Sequence, residues 1–449
     1  MIKNYSEQGS INNFGSVQYD RGQKYMSEKD KDQALENLGL DSNYMVKIEE
    51  VLFANLPIED STLRFSFGDP NYDPTKDTTV ASSHNIGDRA GGGTTAGYGG
   101  TWTKLNSLYA NVWDYTFEGD TLLNEFDNGG FTYANLNATR FWNDVENNPI
   151  KIINSNTSNC TKFKRMFQGV WALTEVWKLD TSSATDVAMM FSYCKNLRKI
   201  PKYLDFSKAN GGGSSGIAAI FQWSGVEEID TIIWPSSDDG YTNSLQNLCL
   251  GCLNLKRIKT PIDCSTSSTL AGAFSACVSL CELTLENTSS VTNMTSAFSA
   301  CKSLPMSTFE NLNTSSATNV SALFFGHFGQ LSSNVTIFSI DTDMENITYI
   351  PANLNLSSVT NAGNMFNTCK NLKYIDSTVF ETLKSGANVR NLFDDCINVE
   401  AGMVATYNVL KNKSTSNHSD TFTNCGVNTE AGRVERKYIP ASWGGDGED

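Results

Sequence analysis

The chain has 449 residues, a net charge of −15 and a pI near 4.7. That acidity argues against nucleic acid as a partner, because phosphate recognition needs clustered Lys and Arg, and no apolar run approaches the ~20 residues that cross a bilayer. Only 18% of residues are charged, and the polarity comes from Ser, Thr, Asn and 34 Gly, a mix suited to repeat and β-rich structural proteins rather than to an ordinary cytosolic enzyme.

Residues 1–50 read as an N-terminal arm and one short helix. The first 25 residues are polar and lack an apolar core segment, so a secretory signal is not expected. Over 27–40, Ser27 and Asp30 form a capping-box-like start, Ala34, Leu35 and Leu38 form a stripe, and Gly39 suits the C′ position. Gln33, Ala34, Glu36, Asn37, Leu38 and Gly39 make this segment similar to one near the N-termini of bacteriophage tail-fibre and other virion appendage proteins, with Leu35 where Arg is common. The resemblance implies attachment to other virion proteins through the N-terminal region.

Residues 51–150 read as a β-rich, aromatic-rich capping domain. MVKIEEVLFANL (45–56) and TLRFSFGD (62–69) have strand composition, and Asp69, Pro70, Asn71 and Asp73 mark turns. The Gly-rich stretch 86–101 lacks the Lys-Ser/Thr and helix of a phosphate-binding loop. Trp102, Tyr109, Trp113, Tyr115, Phe117, Phe126, Phe131, Tyr133, Phe141 and Trp142 predict a core or an interface, with a carbohydrate-stacking platform as the alternative.

Residues 151–430 repeat one unit. TSSVTNMTSAFSAC (288–301) returns as TSSATDVAMMFSYC (181–194), LSSVTNAGNMFNTC (356–369) and, in part, TSSATNVSALFF (314–325). Met294, Phe298, Cys301 and Leu304 stand at i, i+4, i+7 and i+10, as do Val187, Phe191, Cys194 and Leu197, which predicts one face of a helix. Thr292 and Asn293, or Thr185 and Asp186, are the predicted N-caps. A short β-branched segment follows each stripe, as in LTEVWKLD (173–180) and LCELTLEN (280–287). The expected fold class is therefore an α/β repeat solenoid, leucine-rich-repeat-like, with one short helix and one short strand per repeat. Phe-to-Phe spacing is 24 residues from Phe167 to Phe191 but 41 from Phe325 to Phe366, so 332–353 is either an insertion or a degraded repeat.

The pattern TSSVTNM…F..C..L..L resembles the BspA-type leucine-rich repeat, also known from tandem repeats of Mycoplasma surface proteins, and covers roughly 155–428. Ser224 and Phe328 stand where that family has Cys. The resemblance implies adhesion or recognition and no catalysis. Residues 431–449 read as a C-terminal cap, closed by Tyr438, Ile439 and Trp443, and an acidic tail.

Seven of eleven cysteines (Cys194, Cys252, Cys277, Cys301, Cys369, Cys396 and Cys425) share one repeat position, which predicts a buried column of thiols and folding in a reducing cytoplasm. No catalytic, cofactor-binding or metal-binding residues are assigned. His84, His327 and His418 lie far apart in sequence, and Cys249-x-x-Cys252 has no second ligand pair. Glu227/Glu228, Asp238/Asp239 and Asp394/Asp395 read as solvated loops, while Asp341, Asp343 and Glu345 alternate as calcium ligands do but lack a full oxygen set. Sequons at Asn287, Asn293 and Asn334 follow from repeat composition. The expected function is a non-enzymatic structural protein of a tailed bacteriophage virion, a tail fibre or other tail or capsid appendage used in host attachment. It would be made in the host cytoplasm, could form a homo-oligomer, and would bind a host receptor or glycan. A bacterial cell-surface adhesin of the BspA type is the alternative, and a glycan-cleaving enzyme the third reading.

Overall fold

A five-stranded mixed sheet leads into a long stack of short repeats. The computed structural model describes residues 42–76, 100–117, 145–161, 163–209, 216–235, 243–326 and 343–449. The expected 27–40 helix, most of the Gly-rich stretch, the aromatics 126–142, His84, His327, Asp238, Asp239, Asn334 and Asp341 lie outside the described residues.

Helix α1 (Ser42–Asn55) precedes strands β1 (Thr62–Phe67), β2 (Gly100–Lys104), β3 (Asn111–Phe117), β4 (Ile150–Asn156) and β5 (Leu173–Val176). Their order is β2-β3-β1-β4-β5. All neighbours are antiparallel except β4 and β5, which run parallel. MVKIEEVLFANL is thus helical rather than extended. Met45, Glu49, Phe53 and Ala54 recur at helical spacing and are buried, so tertiary contact outweighs the β-propensity of Val46, Ile48 and Val51. Trp102, Trp113 and Tyr115 join the core with Phe65, Phe67 and Tyr72, and the Trp102 and Tyr115 rings lie 4.7 Å apart. These aromatics are core, not a carbohydrate platform.

Charge is also buried in this unit. Arg64 meets Asp114 at 2.7 Å across the β1–β3 register and donates to the carbonyls of Phe53, Leu56 and Pro57. Glu49 accepts three backbone N–H groups, from Leu108, Tyr109 and Ala110, at 2.7–3.0 Å. Glu50 takes the Ser66 hydroxyl and the Lys151 ammonium. Each buried charge is paired or bonded, as burial demands.

Beyond β5 the expected α/β repeat solenoid is not found. The molecule is β-rich with few helices, and the apolar stripes are not helical. In the best repeat, Met294, Ser296, Phe298 and Ala300 donate their N–H groups to Asn319, Ser321, Leu323 and Phe325 of the next repeat, at 2.8–3.1 Å. The alternate residues Ala297, Ser299 and Cys301 donate three residues back, to Met294, Ser296 and Phe298. A helix would send every N–H four residues back. The segment is instead a ribbon of successive turns, with residues of positive φ four apart: Ser296 (53°) and Ala300 (58°), Asn364 (59°) and Thr368 (62°), Asn391 (56°) and Asp395 (58°). Such left-handed residues are what a type II turn needs at its third position. A four-residue turn period and a 3.6-residue helix both place i and i+4 inward, so the spacing fits either.

The predicted N-caps keep their chemistry in this different structure. Asn293 Oδ1 accepts the Thr295 N–H at 3.0 Å, and Asp186 Oδ1 accepts that of Ala188 at 3.0 Å, forming Asx turns. Parallel bridges link Asn293, Asn319, Asn361, Asn388 and Asn417 in succession. The preceding Thr318 and Thr360 hydroxyls reach back to the Thr292 and Thr318 carbonyls at 3.1 and 3.0 Å.

The strand half of each repeat is short. Strands β6 (Tyr203–Asp205) and β8 (Thr231–Ile233), β7 (Glu228–Ile229) and β9 (Arg257–Ile258), and β10 (Ile262–Asp263) and β11 (Leu285–Glu286) pair in parallel. In later repeats, helices α2 (Met306–Phe309), α3 (Thr378–Glu381) and α4 (Met403–Lys411) follow the strand position, not the stripe.

Inside the stack, Phe167, Phe191 and Phe221, then Phe274, Phe298, Phe324, Phe366, Phe393 and Phe422, stack ring on ring at 5.5–6.3 Å. Phe324, not Phe325, occupies the column. Residues 343–353 complete the repeat that opens at 314. Met344 is buried three residues before Ile347, as Cys369 is before Leu372, and a Cβ on Gly326 would lie 2.8 Å from the Met344 nitrogen. Gly326 and Met344 thus lie side by side. Six of the seven column thiols donate to the preceding repeat, among them Cys301 to the Phe274 carbonyl and Cys194 to that of Phe167 at 2.9 Å, and Cys396 to that of Phe366 at 3.0 Å.

At the C-terminal end, helix α5 (Glu430–Arg436) and Trp443 stand in for a further repeat. Phe422 N–H reaches the Trp443 carbonyl at 2.8 Å, and buried Arg436 donates to the Phe422 and Cys425 carbonyls while pairing with Asp446 at 2.7 Å. Ile439 is buried but Tyr438 is exposed, and the acidic tail folds back, with Asp449 accepting the Ser442 N–H.

Candidate recognition surfaces

The column residues are nearly invariant along the stack, whereas the outward positions of the same turns change. At the N-terminal end the left-handed positions are mostly large: Arg165, Met189, Tyr193 and Trp223, with Gly169 and Ala219 between them. The Trp223 ring rests on Gly251, where a Cβ would come within 2.2 Å of it, so only glycine fits there. Lys195 lies over the Trp171 ring at 3.5 Å. Midway the positions are small (Gly272, Ala276, Ser296, Ala300 and Ala322), and Ala276 and Ala300 among them are buried. At the C-terminal end they are amide and acid. Asn391 donates to Asn364 at 3.1 Å, Asn424 to Asp395 at 2.8 Å, and Asn367 to Asp394 at 3.4 Å. Partial burial, and then the Asp395 and Asp420 charges, push the Asp394 carboxyl up to about 6.

The ladder edge forms a second outward surface. Its N-terminal half is a lattice of exposed ion pairs: Lys199 with Glu175 at 3.5 Å, Lys256 with Glu227 at 3.2 Å, and Arg257 with Glu228 at 3.0 Å. Pairs this exposed stabilise little, and they neutralise Glu227 and Glu228. Further along, tyrosines replace the charges. Tyr349 and Tyr374 occupy the same position of successive repeats, three residues after Asn346 and Asn371. The Lys373 N–H reaches the Thr348 carbonyl at 3.5 Å between those rungs. The Tyr349 hydroxyl bonds Glu310, and that of Tyr374 reaches Glu400 at 3.4 Å.

The remaining sequence candidates separate. Cys249 and Cys252 are buried in the stack, and Cys249 fills the Phe position between Phe221 and Phe274. His418 stacks on Trp443 with ring centroids 4.2 Å apart. Asp343 pairs with Lys370, and the Glu345 carbonyl accepts Asn371. Among the described residues, no group of three or more His, Cys, Asp or Glu is placed to hold a metal ion. Ten cysteines are buried and free, and Cys281 is exposed. Desolvation raises the column thiols Cys194, Cys301 and Cys396; Cys264, buried elsewhere in the stack, is pushed up to about 12, chiefly by desolvation. Thiols so held are inert, so their reduced state does not identify the compartment. No signal in a single repeat could have singled out Tyr349 and Tyr374; only the rung alignment makes them neighbours.

No curated protein and no solved structure gives a significant match to the chain. The resemblance of residues 27–40 to virion appendage proteins has no counterpart in these comparisons. The family model described as "Mycoplasma protein of unknown function, DUF285" matches residues 135–210 and 268–349, two segments that carry the Asx-turn, Phe and Cys pattern of the repeats.

Proposed function

We propose that this protein is a non-catalytic recognition protein displayed at a cell surface, an adhesin-like scaffold of the BspA type. The observation that supports this most is the division of labour within each repeat. Phe, Cys and Leu hold a constant core, while the left-handed turn positions, most of them only partly exposed, change from mostly large through small to amide and acid along one stack. A stacked backbone presents a broad face that loses little freedom on binding. The match to a family of Mycoplasma repeat proteins is in keeping with a cellular rather than a virion setting. Partners would be macromolecules of another surface.

The test is to shave intact source cells with protease and follow the protein with an antibody to residues 243–326. Loss of signal from intact cells, with a cytosolic marker spared, is the expected result. Protection equal to that of the marker, or recovery of the protein in purified phage particles, overturns the proposal.

A further inference from the structure

We propose that the Tyr349–Tyr374 edge of the stack is a binding site for an uncharged oligosaccharide. It deepens the recognition reading above by naming the ligand class. Tyr349 and Tyr374 are 42% and 59% exposed, unlike the buried rings of the Phe column in the same repeats. Each hydroxyl is held by a carboxylate, Glu310 and Glu400 respectively. Fixing two exposed side chains in this way costs rotamer entropy without burying apolar area. The gain is a pair of oriented rings on neighbouring rungs, which the Lys373 N–H and the Thr348 carbonyl join. Successive sugar units can lie along such a strip, their C–H faces on the rings.

The surrounding polar groups point to the same class. Glu310 and Glu400 are hydrogen-bond acceptors, suited to hydroxyl donors and hostile to phosphate, sulfate or carboxylate ligands. Lys373 approaches Glu400 at 3.5 Å, and so partly neutralises the rim. A protein partner is less well served. A stable interface covers roughly 800 Å² per side around an apolar centre, and here the exposed apolar groups are the two rings. Tyr438, 69% exposed but near the C-terminal cap, has no such rung neighbour and serves as the control.

The full chain is titrated with cellohexaose, maltohexaose, mannohexaose and chitohexaose, and with heparin and polygalacturonate hexasaccharides, binding being read by ligand-observed NMR. At least one uncharged probe binds and the anionic ones do not. Tyr349→Ala and Tyr374→Ala each weaken it about tenfold, as loss of one stacking contact does, and Tyr438→Ala leaves it unchanged. Unaltered melting temperatures confirm that the variants fold. Failure of all four uncharged probes, preference for an anionic one, or wild-type affinity in the double variant overturns the assignment. Any of these with surface display intact leaves the recognition reading standing. Absence from the cell surface overturns that reading whatever the titration gives.

Discussion

The sheet at residues 42–156 and the repeat stack beyond it share an edge, β4 against β5, yet they satisfy their backbones differently. In the sheet, hydrogen bonds run between strands far apart in sequence, and charged side chains are buried to finish the job: Arg64 on three carbonyls, Glu49 on three N–H groups. In the stack, half of the turn N–H groups bond within the repeat and half bond the next one, and small neutral side chains (Asn, Thr, Cys) complete the pattern. The lesson is that a unit used once can depend on specific buried ion pairs, whereas a unit used many times relies on neutral groups that tile. A charge repeated in one column would repel itself at each rung.

The sharpest way to break this contrast is to remove one element from each side. Arg64→Met leaves Asp114 and three carbonyls without their partner and is expected to cost about 3–5 kcal/mol. Phe298→Ala opens a hole in the ring column and is expected to cost a similar ~3–5 kcal/mol. Urea unfolding reads both, and only Arg64→Met should lose part of its penalty when Asp114→Asn is added. Thiol reactivity follows. In native buffer an aromatic disulfide reagent should label Cys281 alone, and all eleven cysteines only after unfolding; fast labelling of the column would contradict its burial.

Smaller effects probe the turns. Asn293→Ala removes the acceptor of the Thr295 N–H and hydroxyl and should cost about 1 kcal/mol. Ala322→Gly relieves a left-handed alanine (φ 54°) and should stabilise by about 0.5–1 kcal/mol; in a helix the same change would destabilise, so its sign separates the two structures. The smallest expected effect is that of pH. The Asp394 carboxyl titrates near 6 in the folded chain, above its unfolded value, so the folded state binds the proton more tightly. Its favourable contribution is complete below the unfolded value and is lost as pH rises through 6. Stability should therefore rise modestly as pH falls from 7 toward 5, and Asp394→Asn should flatten that slope in thermal melts.

Much of this was legible from the residues alone. The repeat register, the inward Phe, Cys and Leu, and the Asn and Asp that hold the start of each turn all follow from recurring residue types with local chemistry. The extended reading of 45–56 failed because Met45, Glu49 and Phe53 are positioned by the sheet they pack on, not by propensity. The stripe was misread for a related reason. Positions i, i+4, i+7 and i+10 point inward in a helix and in a four-residue turn ribbon alike, so apolar spacing cannot choose between them.

What chooses is the destination of the alternate N–H groups. Met294, Ser296, Phe298 and Ala300 find acceptors only because another repeat lies alongside, and that partner is some 25 residues away in the chain. The same alignment brings Tyr349 beside Tyr374. Composition and periodicity thus specify which residues are core, since burial depends on side-chain type. The backbone conformation and the outward neighbours were decided by stacking, since hydrogen bonds between repeats exist only once the chain has packed against itself.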